Sequence, residues 1–111
     1  MKRVLVIFDE PILKAGVESL LSREVDLEIL STTLVNGDQL CDQLNSYCPE
    51  VVILDEKLES ARISNVIDLL NRYPSIRVLV VNLRDNRLHI YEKHEIMVAH
   101  STDLVSTIRG S

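Results

Sequence analysis

The chain has 111 residues, of which 46% are hydrophobic, and a formal net charge of -5 at pH 7. This length predicts one domain, residues 1–111, that buries a core without a metal or a disulfide. The negative charge and the scattered basic residues argue against direct nucleic-acid binding, and no apolar run reaches the roughly 20 residues of a membrane span. Cys41 and Cys48 lack CxxC or zinc-ligand spacing, so we expect two reduced, partly buried thiols and a cytoplasmic protein.

The N-terminal segment predicts a strand followed by a helix. An apolar run at 4–8 ends in Asp9 and Glu10, and Pro11 can open a helix because the first turn needs no backbone N–H there. The positive end of the helix dipole should then favour the ionised forms of both carboxyl groups. Apolar residues at helical spacing predict one packed face, formed by Ile12, Leu13, Gly16, Val17, Leu20 and Leu21.

The middle of the chain continues this alternation. An alternating segment at 26–32 predicts a strand nearer a sheet edge, and 37–47 predicts a helix that Pro49 ends, with Leu40, Cys41, Leu44 and Tyr47 at helical spacing. The run Val51-Val52-Ile53-Leu54 has no polar face, so it predicts a strand buried on both sides that ends at Asp55.

A third helix and a fourth strand follow. We expect the helix over 60–73, with Ile63, Val66, Ile67 and Leu70 inward, and the strand over 77–83. Strands separated by helices are parallel with right-handed crossovers, so the pattern predicts a three-layer α/β sandwich.

The pattern changes after residue 83. Residues 84–86 predict a turn, and the period-two segments 87–91 and 95–99 predict a hairpin added to the sheet. A helix over 86–95 is the alternative, but its apolar stripe would be thin. Residues 102–109 predict a short closing helix.

Two carboxylates mark the predicted site. In an open parallel sheet, ligands bind in the crevice at the carboxyl ends of the strands, so Asp9 and Asp55 should face each other. Asp55 alone could simply cap the following loop, and His89, His94 and His100 are expected to be exposed. A small α/β enzyme or nucleotide-binding domain is a third possibility, although no glycine-rich phosphate loop or catalytic triad spacing is present.

Two motifs resemble the response-regulator receiver domain of two-component signalling, especially receivers fused to a helix-turn-helix output domain. They are Phe8-Asp9-Glu10-Pro11, leading to Gly16, and Pro49-Glu50-Val51-Val52-Ile53-Leu54-Asp55. The resemblance implies a flavodoxin-like receiver fold with a mainly parallel sheet in the order 2-1-3-4-5. The family's fourth helix would be replaced here by the C-terminal β-hairpin.

The resemblance also implies site residues. Asp55 falls on the phosphoacceptor, Asp9 on the second of two acidic metal-holding positions, and the first falls on Phe8, which cannot bind Mg2+. Asn82 falls on the switch Thr or Ser, and His100 is the nearest counterpart of the family's Lys. A weak, incomplete Mg2+ site would then use Asp9 and Asp55, with Glu10 as a further candidate ligand.

These departures favour a degenerate receiver, or pseudo-receiver, that is not an enzyme and acts through protein contacts or dimerisation. The alternative is an active receiver, phosphorylated on Asp55 with Mg2+ by a histidine kinase in a phosphorelay. Expected partners are a histidine kinase or regulatory protein and a second copy through the C-terminal region. A DNA-binding output domain could be fused in the full-length protein.

Overall fold

The computed structural model describes residues 2–8, 10–32, 37–58, 61–82, 84–92, 95–99 and 108, with backbone alone at 13, 37, 38 and 95–99. The elements are, in chain order, β1 (Lys2–Ile7), α1 (Pro11–Ser22), β2 (Leu27–Thr32), α2 (Gly37–Tyr47), β3 (Val51–Asp55), α3 (Ile63–Arg72), β4 (Arg77–Asn82), β5 (Arg87–Glu92) and β6 (Glu95–Ala99). Pro11 is the first residue of α1, as the sequence predicts. The helix expected to begin at Ser60 begins three residues later, at Ile63.

The strands form one sheet in the order β2-β1-β3-β4-β5-β6. Strands β1 to β4 pair in parallel, and β5 and β6 pair antiparallel at one end. The predicted α/β class, the order 2-1-3-4-5 and the C-terminal hairpin are therefore confirmed. The described residues 84–86 between β4 and β5 form a turn, which leaves no room for a fourth helix there.

Each face of the sheet has its own core. One face carries Val17 and Leu21 of α1 together with Ile108, and the other carries Leu40 and Leu44 of α2 with the inward residues of α3. All five residues of β3 are buried, as expected for a strand with helices on both sides. The three-layer arrangement follows from this alternation of faces.

The apolar stripes of the helices are wider than the surfaces that the helices bury. Ile12 of α1 is 84% exposed, and Ile63 and Ile67 of α3 are 53% and 46% exposed. Leu20 and Gly16 are also exposed, so the predictions that these five residues pack inward are wrong. Among the described side chains of these two helices, the buried apolar ones are Val17 and Leu21 in α1 and Val66, Leu69 and Leu70 in α3.

The hairpin contributes to the core through β5. Tyr91 is buried in the core cluster on the α2 and α3 face. His89 is half-buried, and its ring centroid lies 6.2 Å from that of Tyr91, so the expectation that it is exposed is wrong. Cys41 is half-buried and Cys48 is exposed, and both are free thiols.

The described part of the C-terminal segment is Ile108. Its side chain is fully buried, and its carbonyl oxygen accepts a hydrogen bond from Lys2 Nζ at 2.8 Å. The predicted helix over 102–109 otherwise lies outside the described residues, as do His94 and His100.

Candidate functional site

A cleft of about 410 Å³ opens at the carboxyl ends of the central strands. Phe8, after β1, and Val81 of β4 give it an apolar wall, while Asp55, at the end of β3, contributes a carboxylate. The remaining lining is polar: Glu56, Lys57, Asn82, Arg84 and Asp85. The predicted crevice therefore exists, because three neighbouring parallel strands deliver their following residues to the same edge.

Asp55 is the one polar residue buried among the described residues, at 4% exposure. Its Oδ1 accepts a hydrogen bond from the backbone N–H of Lys57 at 3.1 Å, which is the local loop cap that an aspartate commonly makes. Its Oδ2 is buried and receives no hydrogen bond from the described part of the chain. Burying a carboxylate oxygen without a hydrogen-bond donor costs free energy, so this atom is suited to accept a hydrogen bond or to bind a cation.

Glu10 lies at the start of α1 and is engaged by two cations. Its Oε1 lies 2.8 Å from Lys57 Nζ and 3.6 Å from Arg84 Nη2. The hydrogen bond and charge of Lys57 hold the pKa of Glu10 below its ordinary value of 4.5, and Arg84 adds a smaller effect in the same direction. Lys57 is therefore the main cause of the lowered pKa of Glu10.

Asn82 faces the same cleft, but its amide is used locally. Nδ2 donates to Asp85 Oδ2 at 3.2 Å, and Oδ1 accepts from the Asp85 backbone N–H at 3.1 Å. Arg87 then bridges Asp85 at 3.0 Å and Glu56 at 3.5 Å. These contacts close the β4–β5 turn and join it to the loop after β3.

No family model matches the chain. It is similar to the transcriptional regulatory protein DegU of Brevibacillus brevis, with 24% identity over 89 residues, which are 79% of this chain and 37% of that protein. This similarity supports the resemblance of the chain to response regulators in general, and it does not distinguish a degenerate receiver from an active one.

The chain therefore spans about 37% of the length of this relative. Among the helices in the described part of the chain, none is long and apolar enough to cross a membrane.

The structure brings together Asp55, Glu10 and Asn82 of the predicted site residues. Asp9 and His100 lie outside the described residues, so their roles and the pairing of Asp9 with Asp55 stay predictions. Across the residues that can be placed, no group of three or more acidic, His or Cys side chains could hold a metal. With Glu10 paired to Lys57 and one oxygen of Asp55 capped, these residues alone do not fit the oxygen cage that Mg2+ requires.

Lys57 and Arg84 are the functional candidates that the sequence did not single out. Each follows the end of a central strand by two residues, Lys57 after Asp55 and Arg84 after Asn82. The rule that placed the carboxylates at this edge also places these cations there. The placement of Lys57 and Arg84 at this edge could be predicted from the sequence, but the pairing of both with Glu10 depends on the conformations of long side chains.

The contact between Glu10 and Lys57 predicts a measurable change in titration. In Lys57→Met, the pKa of Glu10 should rise toward 4.5, because its main hydrogen bond and nearest positive charge are gone. Because the folded-state pKa is lowered, the contribution of the pair to stability is complete above the unfolded pKa and is lost as pH falls through the folded pKa. NMR titration of the Glu10 carboxyl carbon measures the shift.

Arg84→Met is the matched control, since its cation is farther from Glu10. It should raise the pKa of Glu10 less than Lys57→Met does. An unchanged Glu10 pKa in Lys57→Met would show that the ion pair does not persist in solution.

Proposed function

We propose that this chain is a receiver-like signalling domain of a transcriptional regulator, and that it works as a pseudo-receiver. The observation that carries the proposal is the position of Phe8. Its side chain is 1% exposed and belongs to the core cluster on the α1 face. The position where the resemblance places the first metal-holding acid is thus occupied by a core residue, which cannot hold a cation.

The charges around Asp55 support the same proposal. In an active receiver a divalent cation neutralises the transferring phosphoryl group. Here Lys57 and Arg84 already neutralise Glu10, the candidate replacement ligand. A divalent cation using Glu10 would have to displace Lys57, whose charge repels it. These charges therefore disfavour metal-assisted phosphoryl transfer to Asp55.

Regulation would then come from protein contacts. We propose a regulatory protein as the partner and a cytoplasmic role in two-component signal transduction. The relative's name and the 37% coverage support a fused output domain that controls transcription. In this proposal the chain is not itself an enzyme.

Asp55 gives one specific reason to keep active phosphorylation as the second candidate. Asp55 lines the open cleft, and its buried Oδ2 lacks a donor among the described residues. The oxygen could attack the phosphorus of a kinase phosphohistidine, forming an acyl phosphate as the P–N bond breaks and the imidazole takes up a proton. Asp9 would have to supply most of the metal binding.

Incubation with Mg2+ and acetyl phosphate, followed by intact mass measurement, separates the two candidates. The pseudo-receiver predicts an unchanged mass, because the cation site is incomplete. An adduct of about 80 Da, the mass that a phosphoryl group adds, would overturn it if Asp55→Asn abolished the adduct.

Asp68→Asn is the matched control, because Asp68 is an exposed carboxylate on α3. An adduct that persists in Asp68→Asn and disappears in Asp55→Asn establishes an active receiver. An unchanged mass in all three proteins supports the pseudo-receiver.

A further inference from the structure

The sheet ends at β6, the second strand of the hairpin. Within the described part of the chain, β6 pairs with β5 on one side and with no strand on the other. We propose that this edge pairs antiparallel with the β6 of a second copy, so that the two sheets join into one. The pairing uses nothing from the cleft, so it is independent of whether Asp55 is phosphorylated.

The register of the hairpin fixes which backbone groups face outward. Glu92 and Glu95 are partners across a two-residue connection, so they form a hydrogen-bonded pair. Hydrogen-bonded and non-hydrogen-bonded pairs alternate along an antiparallel ladder. Ile90 and Met97 are therefore bonded to each other, whereas the N–H and C=O groups of Ile96 and Val98 point away from β5.

This alternation permits full overlap of two β6 strands around a two-fold axis. With the axis at Met97, Ile96 of one copy lies opposite Val98 of the other, and these are the residues with outward backbone groups. Ile96 of one copy and Val98 of the other would each donate one hydrogen bond and accept one, which makes them a hydrogen-bonded pair of an antiparallel ladder. The two-fold axis relates this pair to an identical pair on the other side of Met97, as a closed dimer requires.

The charges along β6 favour the same partner. Full overlap places Glu95 opposite Ala99, so no like charges face each other. After Glu95 the strand reads Ile-Met-Val-Ala, without the Lys or Pro that commonly protects an exposed edge. A second copy presents a strand of equal length whose residues after Glu95 are uncharged, whereas a shift of the axis toward Glu95 would bring two carboxylates together.

Sedimentation velocity over a concentration series tests the pairing. We expect a dimer with a dissociation constant on the order of micromolar to hundreds of micromolar, because a single-strand interface is small. Ile96→Pro removes an outward N–H and leaves the bonds to β5, and it should weaken dimerisation at least about tenfold. A monomer at millimolar concentration, or a dimer unaffected by Ile96→Pro, would overturn the proposal.

Ser31→Pro is the matched control at the opposite edge. The N–H of Lys2 bonds to the carbonyl of Asp26, so the alternation along β2 turns the Ser31 N–H away from β1. This variant should remain dimeric. Loss of the dimer in Ser31→Pro with retention in Ile96→Pro would place the interface at β2 and contradict the proposal.

Amide hydrogen exchange provides a readout that needs no variant. Exchange of the Ile96 and Val98 amides should slow as protein concentration rises, while exchange of the Met97 amide, bonded to β5, should change little. Protection of Ile96 and Val98 that is independent of concentration would show that the edge is covered within one chain, and would overturn the pairing.

Discussion

Phe8→Ala is expected to lower the free energy of unfolding by about 3–5 kcal/mol, the usual cost of removing a buried aromatic ring. Phe8 is among the largest fully buried side chains and packs on the α1 face of the sheet. Small domains have total stabilities of about 5–15 kcal/mol, so the variant should lose much of its stability. Urea denaturation followed by circular dichroism measures the change.

Ile12→Ala is the control for this experiment. Ile12 lies near Phe8 in the chain but is 84% exposed, so its truncation should change the unfolding free energy by no more than about 0.5 kcal/mol. A loss below about 1 kcal/mol in Phe8→Ala would show that the Phe8 ring contributes little to the core. That result would contradict the inference that Phe8 serves the core at the position where the resemblance places a metal-holding acid.

Phe8 links the stability of the fold to its chemistry. The end of β1 has one inward position next to Asp55, and a ring there completes the core while leaving an apolar wall on the cleft. A carboxylate at the same point would need a cation or donors to offset its burial. Under the proposed function, Phe8 at this position gives a packed edge in place of a metal-binding one.

The strands were predictable because their sequence patterns are extreme. Residues 51–54 have no polar face, as expected for a strand covered on both sides, and all five residues of β3 are buried. The hairpin was predictable because period-two segments flank a short connection. The alternation of strands and helices predicted parallel pairing, whereas the sheet order 2-1-3-4-5 was implied by the family resemblance.

The helix faces were less predictable. The stripe of α3 includes Ile63 and Ile67, yet the helix rests on Val66, Leu69 and Leu70. Helical periodicity gives an arc of apolar residues but not the angle at which the helix lies on the sheet. That angle depends on neighbours far away in sequence, such as Cys41 of α2, whose sulfur contacts Arg72 at 3.6 Å.

The candidate site divides in the same way. Asp55 was predicted at this edge because the ends of parallel strands converge there, and Asn82 was implied by the family resemblance. The pairing of Glu10 with Lys57 was missed because it depends on two flexible side chains that are each about half exposed. Such surface pairs carry little energy, so sequence patterns preserve little trace of them.

Ile108→Ala is expected to lower the free energy of unfolding by about 2–5 kcal/mol, the range for truncating a buried aliphatic side chain. Ile108 is fully buried in the core cluster on the α1 face, and its carbonyl is bonded to Lys2 at the start of β1. The variant would leave a cavity between the sheet and the C-terminal segment. Ile63→Ala, at a position 53% exposed, should cost far less and serves as the matched control in the same urea titration. Equal losses in the two variants would show that the C-terminal segment does not complete this core, and that the α1 face is closed in another way.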